Sequence, residues 1–209
     1  MTMNTKSKTL ADKYKFGLVL SYITVAYNVV EGIVCVIVGS LTNSVALVGF
    51  GLDSFIESLS GSVMIWRLRK HGKISHEEEE AVEAKAATLV GVTFFILAAY
   101  VLYEALKSLI GNETAIPSLF GIVIAALSLL IMPILAHLKN KTGKEISSHS
   151  LVADSKQTMV CVLMSVALLV GTAANYLFGI GWLDSVAGLF FVVILCKEGY
   201  EAVRYKELC

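Results

Sequence analysis

Six membrane-spanning α-helices, forming one all-α integral membrane domain with both termini in the cytoplasm, is the fold class the sequence predicts, and three observations predict it. First, the chain is too apolar for a soluble protein. Of its 209 residues 56% are hydrophobic and 16% are Asp, Glu, Lys or Arg, and the mean hydropathy is +0.73, whereas soluble domains carry about 25% charged residues. Second, the charges are bunched, leaving apolar stretches of the ~20 residues needed to cross a hydrocarbon core of ~30 Å. Third, Lys and Arg gather in alternate connections. The net charge of zero carries no information, because the opposite charges sit in different places.

The spans read as residues 16–38, 45–66, 86–110, 116–138, 151–177 and 183–203. Turn-forming residues punctuate them: Gly39 to Asn43 between the first pair, Gly111-Asn112-Glu113 between the third and fourth, and Phe178 to Gly181 between the last pair. Without barrel-like alternation, helices alone can pair the backbone groups within lipid. No Pro-rich or low-complexity linker divides the chain, so residues 1–209 are read as one domain with no separate soluble part. The first span is longer than a signal-peptide core, carries Glu31 and lacks a small-residue cleavage pattern, so it is read as a span.

Basic residues set the orientation. Lys6, Lys8, Lys13 and Lys15 precede the first span. Arg67, Arg69, Lys70, Lys73 and Lys85 lie between the second and third, Lys139, Lys141 and Lys144 between the fourth and fifth, and Arg204 and Lys206 after the sixth. The alternate loops have none. All basic segments therefore belong on one side, the cytoplasm. The four cysteines (Cys35, Cys161, Cys196, Cys209) form no C-x-x-C pair and no disulfide framework.

Chemistry is sought in the polar residues a bilayer should exclude, since an ionisable group at mid-membrane costs at least ~2.5–3.5 kcal/mol. Asp53 and Glu57 in the second span are four apart and share one helical face, with no basic partner evident in the sequence. Asp154, Gln157 and Cys161 begin a polar stripe in the fifth span, continued by Ser165, Thr172 and Asn175. Thr24, Asn28, Glu31 and Cys35 form a third stripe in the first. At a rise of ~1.5 Å per residue, Glu57 and Cys161 both lie ~15 Å from the cytoplasmic ends of their antiparallel spans. Asp53 can then meet Cys161, and Glu57 can meet Gln157, giving four donors and a tetrahedral cage.

Here the sequence resembles the cation diffusion facilitator family of metal–proton antiporters. The resemblance rests on residues 43–47 (NSVAL) and 52–61 (LDSFIESLSG), on 153–158 (ADSKQT) and on 182–188 (WLDSVAG). The family carries pairs of metal-binding residues, His or Asp and then Asp four later, on its second and fifth helices. The resemblance maps them onto Asp53 with Glu57 and Gln157 with Cys161. The fifth-helix pair departs from the family's His and Asp. Gln oxygen is a harder and weaker zinc ligand than imidazole, and Asp154, one turn away, is an alternative. The family often carries a cytoplasmic metal-binding domain after the sixth helix, while this sequence stops at Cys209, so the expectation is a branch without it.

Each residue also has a structural reading. Cys161 can be a small buried packing residue, Gln157 an interhelical hydrogen bond, Glu31 a pathway, proton-carrying or packing residue, Asp154 a cap of the fifth helix, and Asp184 the N-cap of the sixth. Small residues in the second span (Gly49, Gly51, Ser58, Ser60, Gly61, Ser62) fit close helix packing. The segment from His71 to Glu80 reads as a solvated helix start with acids near its N-terminus, or as a weak cation-collecting patch. Hydrolase, P-loop and dinucleotide motifs are absent, as is any basic stripe for nucleic acid.

The resulting expectation is a multi-pass transporter in the cell membrane, not an enzyme. It exports Zn²⁺, Cd²⁺ or a similar cation against protons, needs no resident cofactor, and is a homodimer by family resemblance. Its metal residues would come from Asp53, Glu57, Gln157, Cys161, Asp154 and Glu31. The alternatives are a metal-binding sensor or accessory subunit without transport of its own, and an intramembrane Cys161 enzyme, for which no base is evident.

Overall fold

A computed structural model describes residues 2–70 and 75–205. His71 and Lys73, with Lys206 and Cys209, lie outside the described residues. Six helices follow one another: α1 (Thr2–Thr42), α2 (Val45–Lys70), α3 (His76–Gly111), α4 (Leu119–Glu145), α5 (His149–Phe178) and α6 (Trp182–Tyr205). A helix stands at each of the six expected positions. Most of the helices outrun their spans at the basic end, because backbone hydrogen bonding continues where the apolar run stops. The fourth instead begins later than expected, at Leu119. Pro117 disfavours helix at Ile116, and the Ser118 side chain caps the start by accepting from the Gly121 N–H at 3.2 Å.

α1, α3, α4 and α5 contain stretches long and apolar enough to cross a membrane. With 26 and 24 residues, α2 and α6 are also long, but their apolar stretches are interrupted by Asp53 and Glu57, and by Asp184, Lys197 and Glu198. The polarity of α2 is buried: Asp53, Ser54, Glu57, Ser58 and Ser60 all face protein. Ends of like sign meet as the alternating topology requires. At the basic end Lys13 of α1 pairs with Glu145 of α4 at 3.2 Å. At the other end the Ile116 N–H donates to Thr42 O at 2.7 Å, and Asn175 Nδ2 to Ala115 O at 2.7 Å.

α1 packs most extensively on α2, α4 on α5 and α3 on α6. Small residues allow the first of these contacts, as expected. A Cβ on Gly51 would stand 2.8 Å from Cys35 Cβ and 2.9 Å from Gly32 O. The start of α3 is the expected solvated, acid-rich turn: Ser75 and Glu78 form a capping box, with reciprocal bonds of 3.3 and 3.2 Å.

One turn is built twice. Gly39, Asn43, Ser44, Leu47 and Val48 join α1 to α2, and Gly143, Ser147, Ser148, Leu151 and Val152 join α4 to α5, each 104 positions later (39 to 143, 43 to 147). Asn43 and Ser147 are both left-handed, with φ of 52° and 55°. The Ser44 and Ser148 N–H groups each donate back to the glycine carbonyl at 2.9 Å. Both serine side chains accept from the N–H three residues on, at 3.1 and 3.3 Å. The two turns lie at opposite ends of the bundle, as an inverted repeat of α1–α3 and α4–α6 demands.

Candidate metal site between α2, α5 and α6

The repeat relates the candidate residues to one another. Counting the same 104 positions onward, Asp53 corresponds to Gln157 and Glu57 to Cys161, so the two halves contribute equivalent positions. All four side chains are more than nine-tenths buried, and all four line one cavity of about 10 Å³, the space of about one water-sized sphere. Phe94, Val160, Met164, Ile194 and Leu195 form its apolar wall, and Glu198 of α6 completes the lining. Sequence reasoning missed Glu198. The rule that singles out Asp53, an acid inside a span, singles out Glu198 equally, but its neighbours Lys197 and Glu201 give it the look of an interfacial residue.

The donors share the cavity without forming a closed cage. Among the described residues no three His, Cys, Asp or Glu side chains converge as a ready metal-binding group. The Oε2 atom of Glu57 is buried with no hydrogen-bond partner, as are both carboxamide atoms of Asn28 on α1. Orphaned buried polar atoms of this kind carry a desolvation cost that a ligand can offset. Gln157 Oε1 accepts from Ser60 Oγ at 2.8 Å, so the interhelical hydrogen bond foreseen for it is present alongside its place in the cavity wall.

Glu31 and Asp154 are not brought to the cavity. Glu31 accepts from Tyr27 Oη at 3.1 Å, from Ser54 Oγ at 3.0 Å and from Ser128 Oγ, a polar knot tying α1 to α2 and α4. Asp154 is ion-paired with Lys139 Nζ at 2.9 Å, both side chains being almost wholly buried. Nor does Asp154 cap α5; Ser148 does. The expectation that the acids of α2 have no basic partner is corrected here. Lys139 Nζ also donates to Thr158 Oγ1 at 3.0 Å, and Thr158 Oγ1 in turn reaches Glu57 Oε1 at 2.9 Å. The apolar run ends at Leu138, which predicts a loop position for Lys139, but α4 continues to Glu145 and turns it inward. Asp184 is a second correction: rather than capping its own helix, it caps α2, accepting from Ser44 Oγ at 2.5 Å and from the Ala46 N–H at 3.3 Å.

A bundle with a buried acidic cavity between its two halves is the architecture of a membrane transporter. Residues 21–206 match the cation efflux transmembrane domain, and the chain belongs to that family, the cation diffusion facilitators, whose members are transporters rather than enzymes. It is 22% identical over 190 residues to transmembrane protein 163 of Xenopus laevis, covering 90% of this chain and 66% of that one. It is 24% identical over 169 residues to the magnetosome protein MamB of Magnetospira sp. (79% and 57%). It is 22% identical over 192 residues to a cadmium, cobalt and zinc/H(+)-K(+) antiporter of Bacillus subtilis (90% and 60%). The chain thus spans roughly three-fifths to two-thirds of the length of these relatives.

Proposed function

We propose that this protein carries a divalent transition-metal cation, Zn²⁺ or Cd²⁺ foremost, out of the cytoplasm of a cell in exchange for protons. The observation that carries the reading is the shared cavity: Asp53 and Glu57 from α2 meet Gln157 and Cys161 from α5 at repeat-equivalent positions. Two carboxylates match the charge of a dication, and the amide oxygen and the sulfur supply the remaining donors of a four-coordinate shell. Metal binding needs deprotonated carboxylates and thiolate, so protons and metal compete for the same atoms, which is the physical basis of antiport. The metal is cargo, and no resident cofactor is part of the reading. The antiporter relative supports proton coupling, a homodimer is part of the reading by family resemblance alone, and the clustered basic residues support cytoplasmic termini.

The test is flux into proteoliposomes that report lumenal metal and pH together, with Zn²⁺, Cd²⁺, Mn²⁺, Co²⁺ and Fe²⁺ offered in turn. Metal entry with opposite proton movement is expected for the wild type. Binding without flux would instead make the protein a sensor or accessory subunit. Cys161→Ser keeps the size but cannot ionise near neutrality, so Cd²⁺ transport should fall relative to Mn²⁺. Cys161→Asp should retain transport with preference moved toward harder cations.

A further inference from the structure

We infer that Glu198 of α6 is a third carboxylate of the metal site and sets how well the site accepts hard cations such as Mn²⁺; the inference rests on the reading of the cavity as a metal site. Three observations support it. Glu198 is only 5% exposed although the helix positions around it include lipid-facing residues such as Val193 and Tyr200. It lines the same cavity as Asp53, Glu57, Gln157 and Cys161. The cavity also holds a buried carboxylate oxygen, Glu57 Oε2, with no partner.

The donor chemistry gives Glu198 its role. The polar groups α5 presents to the cavity are a neutral amide and a thiol, and its acid, Asp154, stands away from the cavity and is taken up by Lys139. Without α6 the oxygen donors would be two carboxylates and an amide oxygen that already accepts from Ser60. Glu198 raises the site to three carboxylates, a set suited to Mn²⁺ and other cations that favour oxygen, while Cys161 holds the softer Cd²⁺ through sulfur. Hard and soft metals then depend on different helices: Mn²⁺ on α6, Cd²⁺ on α5, and both on α2.

Mn²⁺ and Cd²⁺ titrations of the full chain in detergent micelles, followed by calorimetry, test this. Glu198→Gln is expected to weaken Mn²⁺ on the order of tenfold, equivalent to ~1.4 kcal/mol, and Cd²⁺ by less than about threefold. Asp53→Asn should weaken both metals, and Glu104→Gln, far along α3, neither. If Asp53→Asn loses both metals while Glu198→Gln binds both as the wild type does, Glu198 is no ligand and the metal site stands without it. If the wild type binds neither metal, or Asp53→Asn binds as tightly as the wild type, the metal-site reading falls and this inference with it. Should Glu198→Gln not fold, Glu198→Asp moves the carboxylate by one methylene and should lower Mn²⁺ affinity in the same sense by a smaller factor. An unchanged Mn²⁺ to Cd²⁺ ratio in that variant overturns the role.

Discussion

The turns that launch α2 and α5 share their left-handed residue, their serine cap and their glycine contact, yet the helices they launch carry opposite electrostatics. On α2, Asp53 and Glu57 bring two carboxylates to the cavity, and Lys139 reaches Glu57 by way of the Thr158 hydroxyl. On α5 the equivalent positions are Gln157 and Cys161, and the one acid nearby, Asp154, is held by Lys139. The background shows the same division. Cys35 and Phe50, both fully buried and apolar, occupy the places that Lys139 and Asp154 hold 104 positions later. The backbone bond is kept where the chemistry is not: Ser54 Oγ bonds Phe50 O at 3.0 Å, and Thr158 Oγ1 bonds Asp154 O at 3.1 Å. A repeated frame thus fixes where donors stand, and the side chains divide the labour. α2 brings charge to the cavity; its counterpart α5 brings a neutral amide and a thiol, and its acid is closed in an ion pair.

The largest effect should come from testing that division directly. Asp53→Asn or Glu57→Gln is expected to reduce Zn²⁺ flux on the order of 100-fold or more, because removing one partner of a buried charged contact costs ~2–5 kcal/mol. Gln157→Ala, at the position equivalent to Asp53, should cost about tenfold or less, since a neutral donor is replaceable by water. Equal losses in Asp53→Asn and Gln157→Ala proteoliposomes, with folding verified by circular dichroism, would break the asymmetry.

The Lys139–Asp154 pair sharpens the comparison next. Lys139→Met or Asp154→Leu alone leaves a buried charge unpaired and should destabilise the bundle by ~3–5 kcal/mol. The double variant removes both charges, as the first half does with Cys35 and Phe50, and should recover most of that loss. SDS titration of the three variants in mixed micelles measures it. If the double variant is as unstable as either single one, the pair is not an isolated unit, and its link through Thr158 to Glu57 is the energetic one.

The six helices were legible because hydropathy is a local property of the sequence. Four members of the cavity were legible because helical period and span depth place Asp53, Glu57, Gln157 and Cys161 on facing stripes. Lys139 was not legible: one lysine just beyond an apolar run looks interfacial until the packing of α4 on α5 sets it against Asp154. Asp184 was misassigned for a similar reason, since its partners Ser44 and Ala46 lie in the other half of the chain. Glu198 was overlooked among neighbouring charges, and its burial depends on the packing of α6, which is most extensive on α3. The repeat itself, faint at the level of residue identity, becomes clear in backbone geometry.

The two turn glycines provide a smaller, matched test. A Cβ on Gly39 would stand 2.8 Å from Val48 N, and one on Gly143 would stand 2.9 Å from Val152 N. Backbone cannot yield as a side-chain tip does, so Gly39→Ala and Gly143→Ala should each cost ~1–3 kcal/mol through overpacking. Similar values in the same SDS titration are expected. A loss confined to one turn would show that the shared geometry is not shared energetically.

The smallest effect separates the two turns at their left-handed residue. Asn43 and Ser147 adopt nearly the same conformation, but asparagine tolerates it better, because its short amide can hydrogen-bond locally. Serine bears more of the ~1–2 kcal/mol cost of a left-handed residue. Glycine removes that cost at either position but raises the conformational entropy of the unfolded chain, which offsets part of the gain. Ser147→Gly should therefore stabilise by about 0.5–1 kcal/mol, and Asn43→Gly should remain within about 0.5 kcal/mol of the wild type. The order matters more than the size. A larger gain at Asn43 than at Ser147 would mean that the αL residue is relaxed in the second turn and strained in the first, and that the repeat is alike in shape but tuned differently in each half.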